Sequence, residues 1–368
     1  MRILVVTTWL PTDAAPQSGI FVERDINLLA QDHDVEVVHL TSGSTADLRD
    51  HPWPTTAIAM TPSNPMTILA AARTLRPLIE GHDVVHTMAA STLLPFARLR
   101  PSIPWVHTEH WSGILSPQTE PLAARLTLPV VMRLFSRPDA VVAVGSELAA
   151  AIGERRRTPV TVIPNAVAVP VGLTARHDRG GRIRLVAVGG LISRKGPDVA
   201  VLTVAELVRR GHDAALHWVG EGPLLAPSEV LADDLGIRDR VRFVGSLPPA
   251  GVFDELAASD VFLLPTLGET FGVAIAEALA SGRPVVVGAD GGHTEFVREP
   301  DGVLVAEQSP EAYADAVEKV LELNRERSAA EIAAFVRGTF TDERRRELYA
   351  ATYADALAEL ERRRGRHP

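Results

Sequence analysis

Residues 260–292 read DVFLLPTLGETFGVAIAEALASGRPVVVGADGG. The apolar run between Asp260 and Pro265 has the character of a strand buried on both faces. A helix is expected from near Gly272 to Ser281, with Gly282 in the left-handed conformation that closes helices. The run RPVVVGA is then the next strand. Strand, loop, helix and strand in so short a stretch make one repeat of a parallel sheet with a helical crossover.

The same repeat runs through the chain. RILVV, DVEVVHL, TTAIAM, DVVHTM, PWVHT, DAVVAVG and VTVIP are strand-like in the first half. IRLVAVGG, ALHWVGEG, VRFVGS, DVFLLP, RPVVVGA and GVLVA follow in the second. Segments of helical period such as FVERDINLLAQ and DVAVLTVAELVRR lie between most of them. One interruption, AVAVPVGLTARHDRGGR from Ala166 to Arg182, has no period and ends rich in Gly and Arg. The expected organisation is α/β, with two Rossmann-like, doubly wound parallel-sheet domains. Residues 1–166 form the N-terminal, acceptor-side domain, 167–182 the linker and 183–340 the donor domain. Residues 341–368 form a helix with apolar positions at Leu348, Tyr349, Tyr353, Leu357 and Leu360, able to cross back to the first domain. Open parallel sheets bind ligands beyond the C-terminal ends of their strands. The expected site is therefore a cleft between two facing sheets, lined by the loops after Thr8, Val106, Gly189, Gly220, Val244 and Pro265.

Composition narrows the function. At 368 residues, two ordinary domains are the default, and 46% hydrophobic with 23% charged residues suits a globular chain. A net charge of −9 argues against a general nucleic-acid binder. There is no cysteine, so disulfides and Cys-ligated metal sites are excluded. The opening MRILVVTTW reads as a buried strand rather than a signal peptide, and no run approaches the ~20 apolar residues that span a bilayer. A cytoplasmic protein is expected. Of 37 basic residues only Lys195 and Lys319 are lysine. So strong an arginine habit directs attention to each lysine kept.

Glu269 stands just before the expected helix, where the amides of Phe271, Gly272 and Val273 face outward, and Gly272 lets an anion approach the backbone. Glu277 lies roughly 7–8 Å further along the axis at 1.5 Å per residue. That offset suits an extended ligand with a diphosphate at its middle and hydroxyl groups at either end, gripped through charge-assisted hydrogen bonds. The plain alternative is that Glu277 is solvated and Glu269 only complements the helix dipole. In VAVGGLISRKGPDV, Arg194 and Lys195 precede a helix with Pro197 in its first turn. Two cations at a dipole-positive terminus call for an anion, unless both are simply solvated. Gly19 opens a helix after the first strand, but no G-x-G-x-x-G fingerprint occurs anywhere, which speaks against an NAD enzyme. In IPWVHTEHWSG, His107 is read as core, and His110 falls in the loop after the strand, placed to reach a substrate. His86 ends another strand, as a structural residue or as part of the cleft lining. His-x-x-His is a weak metal motif with no third ligand, and the Asp32–Asp34 DHD run is dismissed as a metal site.

The chain resembles the retaining glycosyltransferases of family 4, which have the two-domain GT-B fold. The resemblance covers nearly the whole length. It rests on Glu-x7-Glu at Glu269/Glu277 in GETFGVAIAEALASGRPVV, RKG at Arg194–Gly196, VIPNAV, TEHW around His110, the Gly19 loop and DGVLV at Asp301–Val305. The implied activity is transfer of a hexosyl group from a nucleoside-diphosphate sugar, UDP- or GDP-linked, to a hydroxyl acceptor, with retention and without metal or other cofactor. The resemblance implies that Glu277 holds the ribose, Glu269 and His110 lie by the transferred sugar, Lys195 binds the diphosphate, and Gly19 approaches the phosphates. Thr270, Phe271 and Gly272 belong to the same donor site. Many members carry an arginine five positions before the lysine. Here that position is Gly190, with Arg194 as the substitute cation. The competing readings are a non-hydrolysing nucleotide-sugar epimerase and a non-catalytic nucleotide-sugar-binding subunit.

The expected acceptor is a sugar, a lipid-linked molecule or a small hydroxyl compound, held around Trp9–Ser18 and Trp111–Leu115. The amphipathic run PLAARLTLPVVMRLFSR at Pro121–Arg137 is read as a buried first-domain helix. Peripheral contact with the inner face of an anionic membrane is the alternative.

Overall fold

A computed structural model describes residues 1–12, 18–43, 50–119, 122–175 and 181–365. Residues 13–17 of the expected acceptor region and 176–180 of the expected linker lie outside these. The chain divides into two compact units, Met1–Ala166 with Thr341–Pro368, and Val167–Phe340.

The N-terminal unit runs β1 (Arg2–Thr7), α1 (Ile20–Leu29), β2 (Asp34–Thr41), β3 (Thr55–Ala59), α2 (Pro65–Glu80) and β4 (Val84–Met88). It continues with α3 (Leu93–Phe96), β5 (Trp105–Glu109), α4 (Leu122–Leu134), β6 (Ala140–Ala143), α5 (Ser146–Gly153) and β7 (Val160–Val162). Its strands form one parallel sheet in the order β3-β2-β1-β4-β5-β6-β7. The winding runs outward from β1 to β3, then restarts on the other side with β4. Reversal leaves a crevice beyond the ends of β1 and β4, where the loops part in opposite directions.

The C-terminal unit repeats the plan. It comprises β8 (Arg182–Val188), α6 (Pro197–Arg209), β9 (Asp213–Val219), α7 (Leu225–Asp234), β10 (Val241–Gly245) and α8 (Pro249–Ala258). After these come β11 (Val261–Leu264), α9 (Val273–Ala280), β12 (Val285–Gly288), β13 (Gly302–Val305), α10 (Pro310–Leu323) and α11 (Ala329–Thr339). The parallel order is β10-β9-β8-β11-β12-β13, so winding reverses between β8 and β11. Continuous Val/Ile/Leu runs are needed because both faces of each sheet are covered. β1, β11 and β12 are buried almost throughout.

The last helix, α12 (Asp342–Gly365), packs on the N-terminal unit. Arg345, Tyr349, Thr352, Tyr353, Ala356 and Leu360 are its buried positions, a stripe at helical spacing. Tyr349, Tyr353 and Ala356 join Ile3, Val5, Val22 and Ile26 in the core. Leu357, expected inward from its type, is 50% exposed. The stripe runs through Ala356 instead, because a helix keeps its phase whatever residue stands one position along. A buried ion pair locks the helix in place. The Asp25 carboxylate on α1 accepts from the Arg345 guanidinium and from the Tyr349 hydroxyl at 3.0 Å. Asp32 of the DHD run pairs with Arg346 at 2.6 Å.

One expectation, the burial of α4, requires correction here. His86, by contrast, takes the structural one of its two readings and does not line an open crevice. It is fully buried, with Nε2 2.7 Å from Thr108 Oγ1 and Nδ1 2.9 Å from Tyr353 Oη, and burial pushes its pKa down to about 3. The α4 helix is not buried on all its apolar faces: Leu122, Leu126 and Val130 are 67%, 71% and 52% exposed. Its other face packs inward through Val131 and Leu134. Apolar residues exceed what one packing face can cover.

Candidate active site

At the reversal between β8 and β11, three loops are tied together by backbone. Leu267 N–H donates to Arg194 C=O at 2.9 Å, and Gly292 N–H to Glu269 C=O at 2.7 Å. Gly268 N–H reaches both the carbonyl and a side-chain oxygen of Asp290 at 3.2 Å. Gly196 makes the closest approach possible. Its φ is +63°, and a Cβ there would sit 2.4 Å from the Pro265 carbonyl oxygen, so only glycine fits the turn after Lys195.

This scaffold brings the sequence candidates into contact. One oxygen of Glu269, Oε1, accepts from the Lys195 ammonium, from Arg194 Nη1 at 3.0 Å and from Thr266 Oγ1 at 2.7 Å. Burial alone would raise this carboxyl. The Lys195 and Arg194 charges outweigh it and hold the group down at about 2. The anion that the two cations call for is thus supplied within the chain. Glu269 does not merely complement a helix dipole, and Arg194 and Lys195, 16% and 14% exposed, are not solvated loop cations. Lys319, by contrast, makes an exposed surface pair with Glu299.

Around this cluster, Gly272 caps α9 at φ +86° and Gly282 ends it at φ +72°. Glu277 is 9% exposed in the middle of α9, between Ala276 and Ala278, so it is not a solvated carboxylate. The Phe271 side chain packs with Phe296 and Phe340 at centroid distances of 5.1 and 5.2 Å. Its ring is structural. Thr270 precedes it in the loop. Three residues were missed from sequence: Thr266, Asp290 and His293. The His293 ring is buried, with Nε2 2.6 Å from Gly288 O, and burial lowers its pKa. The paired glycines of GADGGHTE were the available signal, since a chain that packs backbone on backbone positions its neighbours closely.

His110 lies in the N-terminal unit, directly after β5. Its ring is buried rather than extended into the loop as expected. Nδ1 is 2.9 Å from Asn165 Oδ1, Nε2 is 3.7 Å from Asp25 Oδ2, and the Phe21 ring lies at 4.7 Å. Burial lowers its pKa against the pull of Asp25 and Glu109. Glu109 Oε1 accepts from the backbone N–H groups of His110 and Trp111, each at 2.8 Å, and so shapes the turn itself. Gly19, at φ +73°, begins α1, and a Cβ would meet the Trp9 carbonyl carbon at 2.6 Å. No described helix is long and apolar enough to cross a membrane.

Comparison with known proteins bears on the family and the fold. The family model Glycosyl transferases group 1 matches residues 175–336, and Glycosyltransferase Family 4 matches residues 26–169. The GDP-mannose-dependent alpha-(1-6)-phosphatidylinositol monomannoside mannosyltransferase of Mycobacterium tuberculosis is 36% identical over 193 residues, 50% of each chain. The D-inositol 3-phosphate glycosyltransferase of Corynebacterium aurimucosum is 38% identical over 142 residues, 37% of this chain and 34% of that one. The match spans half or less of these relatives. Among solved structures, Anabaena HepE in complex with UDP and glucose has a TM-score of 0.76 at 19% identity, covering 96% of this chain and 99% of that one. The apo lipopolysaccharide outer core galactosyltransferase WaaB has 0.74 at 16%, covering 97% and 100%. These two likenesses show the fold.

Proposed function

The chain belongs to glycosyltransferase family 4, and on that premise we propose that it moves a hexosyl group, with retention and without metal, from a UDP- or GDP-sugar to a hydroxyl acceptor. The carrying observation is the half-buried Lys195–Arg194–Glu269 cluster at the winding reversal of the C-terminal unit. Two cations converging on one carboxylate are a ready diphosphate site. When the diphosphate arrives, Lys195 and Arg194 turn to it, and Glu269 is released towards the sugar hydroxyls. As the sugar–phosphate bond breaks, charge grows on the leaving diphosphate, and cations already in place stabilise it without reorganising. Arg194 serves as the second cation that Gly190 does not supply. Glu277 takes the ribose hydroxyls, and Thr270 and the Phe271–Gly272 amides take sugar or phosphate oxygens. In the N-terminal unit, Gly19 is assigned to the donor phosphates and His110 to the transferred sugar.

GDP-mannose is the first donor to test, since it appears in the name of the mycobacterial relative. Thermal shift with UDP, GDP and ADP identifies the base, because native-state binding raises apparent stability. Labelled donor with and without acceptor separates transfer from epimerisation and from simple binding. The anomeric configuration of the product, read by NMR, decides retention. Absence of a shift with all three nucleotides would reject the proposal.

A further inference from the structure

The winding reversal of the N-terminal unit holds a cavity of about 350 Å³, and its lining is the opposite of the charged cluster in the C-terminal unit. Trp9 follows β1, Ala90 follows β4 and Trp111 follows β5, so the cavity sits beyond the strand ends where open sheets take ligands. Leu94 and Val131 complete an apolar wall, and among the described residues no charged side chain lines it. The size is that of a small-molecule site. Its polar edge is slight: Ser91 Oγ lies 2.6 Å from Thr8 Oγ1. Trp9 meets Phe21 edge-on at 5.5 Å, and Phe21 packs on His110 at 4.7 Å, so the cavity adjoins the His110 cluster.

Helix α4 forms one wall through Ala124, Thr127 and Val131. On a different face the same helix exposes Leu122, Leu126 and Val130. These stand four residues apart, a ridge about 12 Å long. Arg125 and Arg133 are exposed on this helix. In a chain of net charge −9, residues 110–138 carry three arginines against one acid, Glu120. An apolar ridge with cations beside it complements an anionic lipid surface.

We propose that this cavity receives the hydrocarbon chain of an amphiphilic acceptor borne by an anionic membrane, with α4 resting on the lipid. The inference rests on the transferase reading, because only that reading makes the amphiphile an acceptor. It extends that reading by giving the acceptor a hydrocarbon tail and an anionic bilayer as its source.

The test uses the full chain and its own fluorescence, since Trp9 and Trp111 line the cavity. Methyl, hexyl, octyl and decyl glucoside are titrated below their micelle concentrations. Octyl glucoside should give a saturable change and methyl glucoside none, with affinity rising about fourfold per methylene until the cavity is full. Ala124→Phe fills the cavity and should weaken octyl glucoside binding about tenfold or more, with Thr127→Phe as a second filler should the first misfold. Equal responses to methyl and octyl glucoside, or fillers without effect, overturn the inference. In a second arm, phosphatidylglycerol vesicles should sediment the protein and phosphatidylcholine vesicles should not. Leu126→Glu, outside the cavity lining, should abolish that sedimentation. Binding of octyl glucoside without any vesicle binding overturns the membrane source. Nucleotide thermal shifts on the same variants keep the two readings apart. An intact shift with no alkyl binding sinks the cavity alone, and alkyl binding with no nucleotide shift sinks the transferase reading and the acceptor with it.

Discussion

The two sheets reverse their winding at the same topological place and fill it with opposite chemistry. Beyond β8 and β11 stand a lysine, an arginine and a glutamate bound to one another. Beyond β1 and β4 stand tryptophans, alanine and leucine around a cavity. Topology provides a crevice twice, because strand ends part wherever winding reverses. What the crevice holds is set by loop residues that the sheets do not constrain. The charged crevice is paired within the chain, and the apolar one is lined mainly by aromatic and aliphatic side chains. Under the proposed function the first would exchange one anion for another, and the second would gain by excluding water.

Four measurements can break or sharpen this contrast. The largest effect should come from Asp25→Ala, which leaves Arg345 buried without its carboxylate. Losing one partner of a buried pair costs about 3–5 kcal/mol, and denaturant unfolding should show α12 loosening from the N-terminal unit. If stability is unchanged, the helix is held by its apolar stripe alone. Next, Lys195→Ala should lower kcat by about 10²–10³ if the ammonium stabilises the departing diphosphate. A loss confined to KM would make it a binding residue only.

Acid should reach the two units along different routes. His86 has a folded pKa depressed to about 3 from 6.5, so the unfolded chain takes its proton first. Its contribution is whole above about pH 6.5 and shrinks as pH falls towards 3. Glu269 is depressed to about 2 from 4.5, so its contribution is whole above that range and is lost as pH falls from about 4.5 to 2. For Glu269 the sum is on the order of 3 kcal/mol. Urea midpoints followed by fluorescence separate the two, since Trp218 is the one tryptophan of the C-terminal unit. Coincident acid limbs would show that the units unfold together. The smallest effect is Leu126→Ser, which should move stability by less than about 0.5 kcal/mol, because an exposed side chain contributes little to the folded state. A larger loss by thermal unfolding would mean that the ridge is covered by the protein itself.

Much of this was legible in the sequence because it depends on period and on backbone. All thirteen apolar runs are strands, since a residue buried on both sheet faces has to be apolar wherever the rest of the fold lies. Gly272 and Gly282 mark the ends of α9, because a left-handed residue is needed there and glycine adopts it without strain. The rarity of lysine singled out Lys195, and the structure sets it against Glu269. Other features depended on which surfaces meet. Asp25 and Arg345, 320 residues apart, carry no mark of their pairing. His293 and Thr266 looked like ordinary loop residues. The α4 helix has more apolar faces than one side can bury, and period cannot say which is left to water.

The sequence by itself determined the alternation of strand and helix, the two sheets, and the residue types at the charged crevice. These follow from chemistry local to each segment. The tertiary structure alone decided that Glu269 pairs with both cations, that α12 is clamped by Asp25, and that the first crevice is apolar. Each of these is a contact between distant segments, and a contact's energy depends on a distance that no stretch of sequence contains.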